Sequence, residues 1–215
     1  METFVIDLPK TWEVGAFELR NGHYVTFEEY LDLDIEGVHL EWEDGKVVGF
    51  MANNLRHQLI VRFLLQVLGL FVEKYELGQI VQAGYAMKLD EQKRGREPDL
   101  LFVRKQNLER LQDLFLDGPA DLAVEIISPE SVVRDRKIKF DEYAAAGIAE
   151  YWLIDPRFEE ADFYRLGADA SYHPIPIDNG VFRSDVLEGF FLRTEWLWSE
   201  NLSTLNALKE LDLLA

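Results

Sequence analysis

The chain has 215 residues, 48% of them hydrophobic and 29% charged, which suits one globular domain with a full core and excludes a disordered chain. It has no cysteine, so disulfides and thiolate metal sites are excluded. Forty acidic residues against 22 basic ones leave a net charge of −18, which argues against tight, sequence-blind nucleic-acid binding.

No N-terminal segment combines a basic start with an apolar run, and no uninterrupted apolar stretch is long enough for a bilayer. A cytoplasmic protein without a membrane partner is the expectation. Residues 1–25 lack clear periodicity and are expected to form a peripheral arm before a single domain over residues 26–215. Thr26 with Glu29 three positions on predicts a capping box and a short helix. His39 to Phe50 reads as a hairpin around Asp44-Gly45.

Leu55 to Tyr75 is the clearest long helix, with Leu59, Ile60, Phe63, Leu64, Val67, Leu68 and Phe71 at helical spacing and Gly78 as its stop. Short strands are expected near 79–83 and 85–89, then a charged loop from Glu91 to Glu97. Asp99 to Val103, Asp121 to Ile127 and Glu150 to Asp155 read as buried strands. Arg134 to Ala146 reads as a helix ended by Gly147. Asp162 to Leu166 and the stretch after Tyr172 suggest outer strands, and Leu205 to Leu214 a last helix. The order strand, strand, helix, strand over 99–155 implies an α/β core with a mixed sheet.

Glu125 is the most informative residue, because Leu122-Ala123-Val124-Glu125-Ile126-Ile127 buries a carboxylate in an apolar run. Such a group needs a partner. A metal ion is one; a salt bridge, or an edge position facing water, is the other reading. Asp99 follows Pro98 and opens a second buried run. Two acids on neighbouring buried strands offer hard oxygen ligands of the kind that suit Mg²⁺ or Mn²⁺. Asp135, Lys139 and Tyr143 are spaced by four and form a slanted row on one helix side, with Lys139 at the edge of the core face. That lysine either snorkels to solvent or reaches the carboxylates. The four histidines, His23, His39, His57 and His173, lack the close pairing of zinc sites. Gly84, Gly95 and Gly118 are isolated and make no phosphate-cradling loop.

Glu-Pro-Asp at 97–99, Asp-Leu-Ala-Val-Glu-Ile-Ile-Ser-Pro at 121–129, Arg-Asp-Arg-Lys-Ile-Lys-Phe-Asp-Glu-Tyr at 134–143 and Ala-Gly-Ile-Ala-Glu-Tyr-Trp-Leu-Ile-Asp-Pro at 146–156 resemble the Uma-two branch of the PD-(D/E)XK superfamily. The resemblance runs from about Thr26 to about Trp198. It implies a restriction-endonuclease-like core of the α/β (α+β) class, a central mixed β-sheet flanked by helices. It implies a metal-dependent DNA endonuclease in which Asp99 and Glu125 hold Mg²⁺ or Mn²⁺ and Glu41, from the Glu-x-x-Asp-Gly hairpin, adds a ligand or holds water. The lysine usually found two places after the strand glutamate is Ile127 here, and Lys139 is the matching position on the next helix. His57, Asp135 and Tyr143 also match the pattern without an assigned role.

The basic residues Lys93, Arg94, Arg96, Arg134, Arg136, Lys137 and Lys139 flank these motifs, as a phosphate track or as solvated faces. A nuclease-fold module that binds nucleic acid or a protein partner without cutting is the alternative function. The intact acids favour cleavage; Ile127 and the acidic surface favour the alternative. Nucleic acid, DNA first, is the expected partner. The aromatics at Trp196 and Trp198 suit either a homodimer contact or the core.

Overall fold

The computed structural model describes residues 17–18, 24–33, 38–51 and 54–214, so most of the expected arm, and His23, lie outside it. Strand β1 (Phe17–Glu18) pairs antiparallel with β3, defined below. Helix α1 (Phe27–Leu31) starts with the predicted capping box: Glu29 N donates to Thr26 Oγ1 and Thr26 N to Glu29 Oε2. The predicted hairpin is β2 (Val38–Glu43) and β3 (Lys46–Met51). Asp44 and Gly45 both have positive φ, 44° and 87°, as a two-residue turn matching strand twist requires.

Helix α2 (Leu55–Lys74) begins at Asn54, whose side chain accepts from His57 N. It is long and apolar enough to cross a bilayer by length and composition. Here it is the core helix, with Ile60, Phe63, Leu64, Val67, Leu68, Phe71 and Val72 buried, each contributing about 1.5–3 kcal/mol. The helix does not stop at Gly78. It ends at Tyr75, Glu76 turns with φ 50°, and Gly78 opens the next strand.

Strands β4 (Gly78–Gln82) and β5 (Ala86–Leu89) fall near their predicted places but in different sheets. The expected charged loop contains a strand, β6 (Arg94–Arg96). Gly95 makes that possible: a Cβ there would stand 2.8 Å from the Phe27 ring, so only glycine lets the strand pass beneath it. Strand β7 (Leu100–Arg104) leads through a 3₁₀ turn, Lys105–Arg110, to β8 (Phe115–Asp117) and β9 (Leu122–Ile126). Helix α3 (Phe140–Ala146) is entered through a π-helical segment, Arg134–Lys139, and ends at Gly147 in the left-handed conformation. Then come β10 (Glu150–Asp155), β11 (Glu160–Leu166), β12 (Tyr172–Pro174), β13 (Val181–Arg183) and β14 (Phe191–Arg193). Helices α4 (Thr194–Trp198) and α5 (Thr204–Glu210) close the chain.

Two six-stranded sheets result. The first has the order β1-β3-β2-β6-β5-β8 and the second β12-β11-β10-β9-β7-β4. In the second, β9 pairs parallel with β10 and antiparallel with β7, so the sheet is mixed as expected. The parallel pair needs a crossover, and α3 supplies it. Side chains alternate across β9. Leu122, Val124 and Ile126 join the cluster under α2, with Leu100, Phe102, Trp152 and Ile154. Ala123 and Ile127 face the other way, into a cluster with Leu101, Tyr151, Leu153 and Tyr143 of α3. Trp196 and Trp198 are half-buried against the α2 cluster, on the core side of the two readings.

Candidate active site

Glu125 is the one odd-numbered residue of β9 whose side chain is polar, so it points to the α3 face between two apolar neighbours. The register Leu100↔Val124 places Asp99 beside Glu125 one step further on. Asp99 Oδ2 accepts from the backbone N–H of Ile126 at 2.7 Å and lies 3.1 Å from His57 Nε2. Both carboxylates line one cavity, with Glu41, Asp135 and Lys139.

Lys139 reaches this cavity and is fully buried rather than snorkelling to solvent. Its Nζ is 2.7 Å from Glu125 Oε1, 2.9 Å from Glu41 Oε1 and 3.8 Å from Asp135 Oδ1. Tyr143 donates its hydroxyl to Glu125 Oε1 at 2.9 Å. The expected row of Asp135, Lys139 and Tyr143 is thus assembled on one buried side. The π-helical segment helps: in an α-helix four residues overshoot a full turn, and a wider turn brings them nearer to one line. Ile127, in the usual lysine's place, is buried among apolar residues.

The electrostatics divide the acids. Burial pushes the Glu41 carboxyl up, but Lys139 and Arg96 outweigh it and hold it at about 2. Burial pushes Glu125 up to about 8, with Asp135 and Asp99 adding to the effect and Lys139 opposing it. Burial also raises Asp135, against Lys139 and Arg134. Burial lowers the Lys139 ammonium's affinity for its proton, but Glu125, Glu41 and Asp135 raise it by more, so the group stays charged.

Both oxygens of Glu41 are occupied, Oε1 by Lys139 and Oε2 by Arg96 Nη1 at 2.7 Å. Among the described residues no hydrogen bond reaches Glu125 Oε2 or Asp99 Oδ1. No group of three or more His, Asp or Glu among the described residues is arranged to hold a metal ion. Two adjoining carboxylates, each with a free oxygen, nonetheless fit Mg²⁺, which binds one or two carboxylates and keeps waters or phosphates for its remaining positions.

The fold around this cavity is matched elsewhere. A family model described as "Putative restriction endonuclease" covers residues 27–195. The chain belongs to the Uma2 family. A crystal structure described as a "putative nuclease belonging to DUF820" from Anabaena variabilis ATCC 29413 superposes with a TM-score of 0.67 at 17% identity. The match covers 81% of this chain and 97% of that one, and it shows the restriction-endonuclease-like fold. No curated protein sequence matches. The Uma2 assignment makes this a nuclease-like domain of a class that generally uses divalent metals.

The basic residues read as a phosphate track are mostly engaged. Arg96 is fully buried, Arg94 pairs with Glu142, Arg136 with Asp162, and Lys93 with Asp44. Only Lys137 among them is exposed with no ion pair among the described residues. The cavity lining carries six acids, Glu41, Glu97, Asp99, Glu125, Glu130 and Asp135, against Arg134 and Lys139. Sequence reasoning missed Arg96 and Glu142 as parts of the site. A signal was present: Glu41 and Glu43 are two apart on a strand, share a face, and need a common cation.

Proposed function

We propose that the chain is a divalent-metal-dependent DNA endonuclease domain that hydrolyses phosphodiester bonds. The observation that carries this reading is Lys139 Nζ 2.7 Å from Glu125 in a cavity shared with Asp99, although Ile127 stands where the usual lysine would be. A side chain from the next helix thus supplies the cation that the strand lacks.

Asp99 and Glu125 would hold the metal ion through Oδ1 and Oε2, the oxygens with no hydrogen bond among the described residues. When bound, the ion supplies Lewis-acid stabilisation of charge on phosphate oxygens. It also offsets a six-acid lining that would otherwise repel a phosphodiester. Lys139 stays protonated, so it donates; it stabilises the developing negative charge and does not act as a base. Glu41, with both oxygens engaged, anchors that ammonium. His57 orients the Asp99 carboxylate from the start of α2.

The test is plasmid nicking in Mg²⁺ or Mn²⁺, with Asp99→Asn and Glu125→Gln as controls. The reading expects metal-dependent nicking that both substitutions abolish. Nicking that persists in both would overturn the site. A wild type that binds DNA without cutting in either metal would favour the alternative, a non-cutting binding module, for which the acidic lining speaks.

A further inference from the structure

We propose that Arg96 is a positioning residue of this site. Its buried guanidinium ties Glu41 and Glu43 of β2 to Glu142 of α3, and so fixes the Lys139 ammonium between Glu41 and Glu125. That Lys139 serves cleavage rests on the nuclease reading above; that Arg96 places Lys139 does not.

Arg96 is 0% exposed, which is unusual for arginine and requires complete pairing. Each of its three nitrogens is paired, in four hydrogen bonds. Nη1 donates to Glu41 Oε2 at 2.7 Å and to Glu43 Oε1 at 2.6 Å. Nε and Nη2 grip Glu142 as a fork, at 2.8 and 2.9 Å. These bonds join three separate segments. Glu41 and Glu43 belong to the hairpin, Arg96 to the strand beside it, and Glu142 to the helix three residues after Lys139.

The consequence for Lys139 is geometric. Its ammonium spans from Glu125 on the second sheet to Glu41 on the first. The spacing of those carboxylates depends on how α3 and the first sheet are held together: Glu142 takes the two-pronged Arg96 fork and a single bond from Arg94 Nε at 2.8 Å, and of the two arginines only Arg96 also holds Glu41. Arg96 also occupies the Glu41 oxygen that faces away from Lys139, so Glu41 has one geometry in which it meets both cations. A lysine at position 96 would keep the charge beside Glu41. It would lose the planar fork that spans to Glu142.

The test compares wild type with Arg96→Met, Arg96→Lys and Glu142→Ala. The primary readout is the rate of acylation of individual lysines by an amine-reactive ester, resolved by peptide mass spectrometry. Wild type should protect Lys139. In both Arg96 variants Lys139 should react about tenfold faster or more, the result of a local opening made easier by over about 1.4 kcal/mol. Reaction at Lys137, and amide exchange in α2, should stay unchanged. In the nicking assay kcat should fall with KM unaltered.

Lys139 remaining protected in a folded Arg96→Met protein would overturn the proposal. So would full restoration of protection by Arg96→Lys, which would make charge and not span the cause. A general rise in exchange through α2 would also overturn it, since Arg96 would then be merely structural. If Arg96→Met does not fold, Glu142→Ala cuts the same bridge from the helix side, together with the Arg94 bond to that carboxylate, and leaves Arg96 paired with Glu41 and Glu43; unchanged protection there is equally fatal. If wild type does not nick DNA, the nuclease reading fails, and the acylation rates still decide the role of Arg96.

Discussion

Glu125 and Glu150 are both buried carboxylates in apolar strands that lie side by side, and they face opposite sides of one sheet. Glu150 opens β10 and points towards the α2 cluster. It accepts from Trp152 Nε1, Ser184 Oγ, and the backbone N–H groups of Asp185 and Val186. All four donors are neutral, and both oxygens are satisfied. Burial still raises its carboxyl, and these bonds only reduce the effect. Glu125 has a charged partner, Lys139, and a phenol, both on one oxygen. An acid inside an apolar run is therefore not by itself a sign of chemistry. Glu150 is satisfied by fixed neutral dipoles, as a structural group should be, whereas no hydrogen bond among the described residues reaches Glu125 Oε2.

The largest expected effect tests the charged side. Lys139→Met would leave Glu41, Glu125 and Asp135 facing one another without their shared cation. Breaking a buried pair from one side costs about 3–5 kcal/mol, so urea unfolding should show a loss of that size. A loss below about 1 kcal/mol would mean that the carboxyls are neutral and the ion pair carries little. The second effect tests the neutral side. Glu150→Gln would turn an amide NH₂ towards two of the four donors, and each buried donor left unpaired costs about 1–3 kcal/mol. The variant should lose stability by about that amount or more, with no change in nicking. Lost nicking at preserved stability would join Glu150 to the site and end the contrast.

Much of this was legible in the sequence, for physical reasons. The capping box at Thr26, the Asp-Gly turn and the three buried strands are local signals, written within a few residues. Asp99 and Glu125 stood out because each breaks or opens an apolar run. Lys139 needed the helical spacing and the family resemblance together. The strand at Arg94–Arg96 was illegible because Arg-Gly-Arg reads as solvated. It is buried only because Glu41, Glu43 and Glu142 arrive from elements far away in sequence. The π-helical entry to α3 and the short strands β8, β13 and β14 depend equally on tertiary packing, and their sequences carry no periodicity long enough to read.

A third, smaller effect concerns pH. Folding raises the Glu125 carboxyl from 4.5 to about 8, chiefly through burial. A group that holds its proton more tightly in the native state contributes stability at low pH. That contribution is lost as pH rises from the unfolded towards the folded pKa. Between about pH 4.5 and 8 the wild type should therefore lose stability from this residue. Glu125→Gln, which keeps an acceptor for Tyr143 and Lys139, should flatten that slope and change stability at pH 5 by less than about 1 kcal/mol. A slope that survives the substitution would assign it to Asp135 or Glu150, which are raised in the same direction.

The smallest effect is expected at Lys137, two residues before Lys139 and on the opposite, exposed side of the same helical segment. It pairs with no carboxylate among the described residues, so Lys137→Ala should change stability by less than about 0.5 kcal/mol. Its value lies in what it separates. If DNA meets this helix only through the cavity, removing Lys137 leaves nicking and its salt dependence as they were. If the exposed side instead follows the phosphate backbone, each lost contact lowers the slope of log affinity against log salt by about one. A measured change of that size would restore part of the phosphate track that the ion pairs of Arg94, Arg96 and Arg136 otherwise remove. It would place the nucleic acid across the helix surface rather than at the carboxylates alone. An unchanged slope leaves Lys139, buried and held by Glu41 and Glu125, as the one lysine of this segment that the site uses.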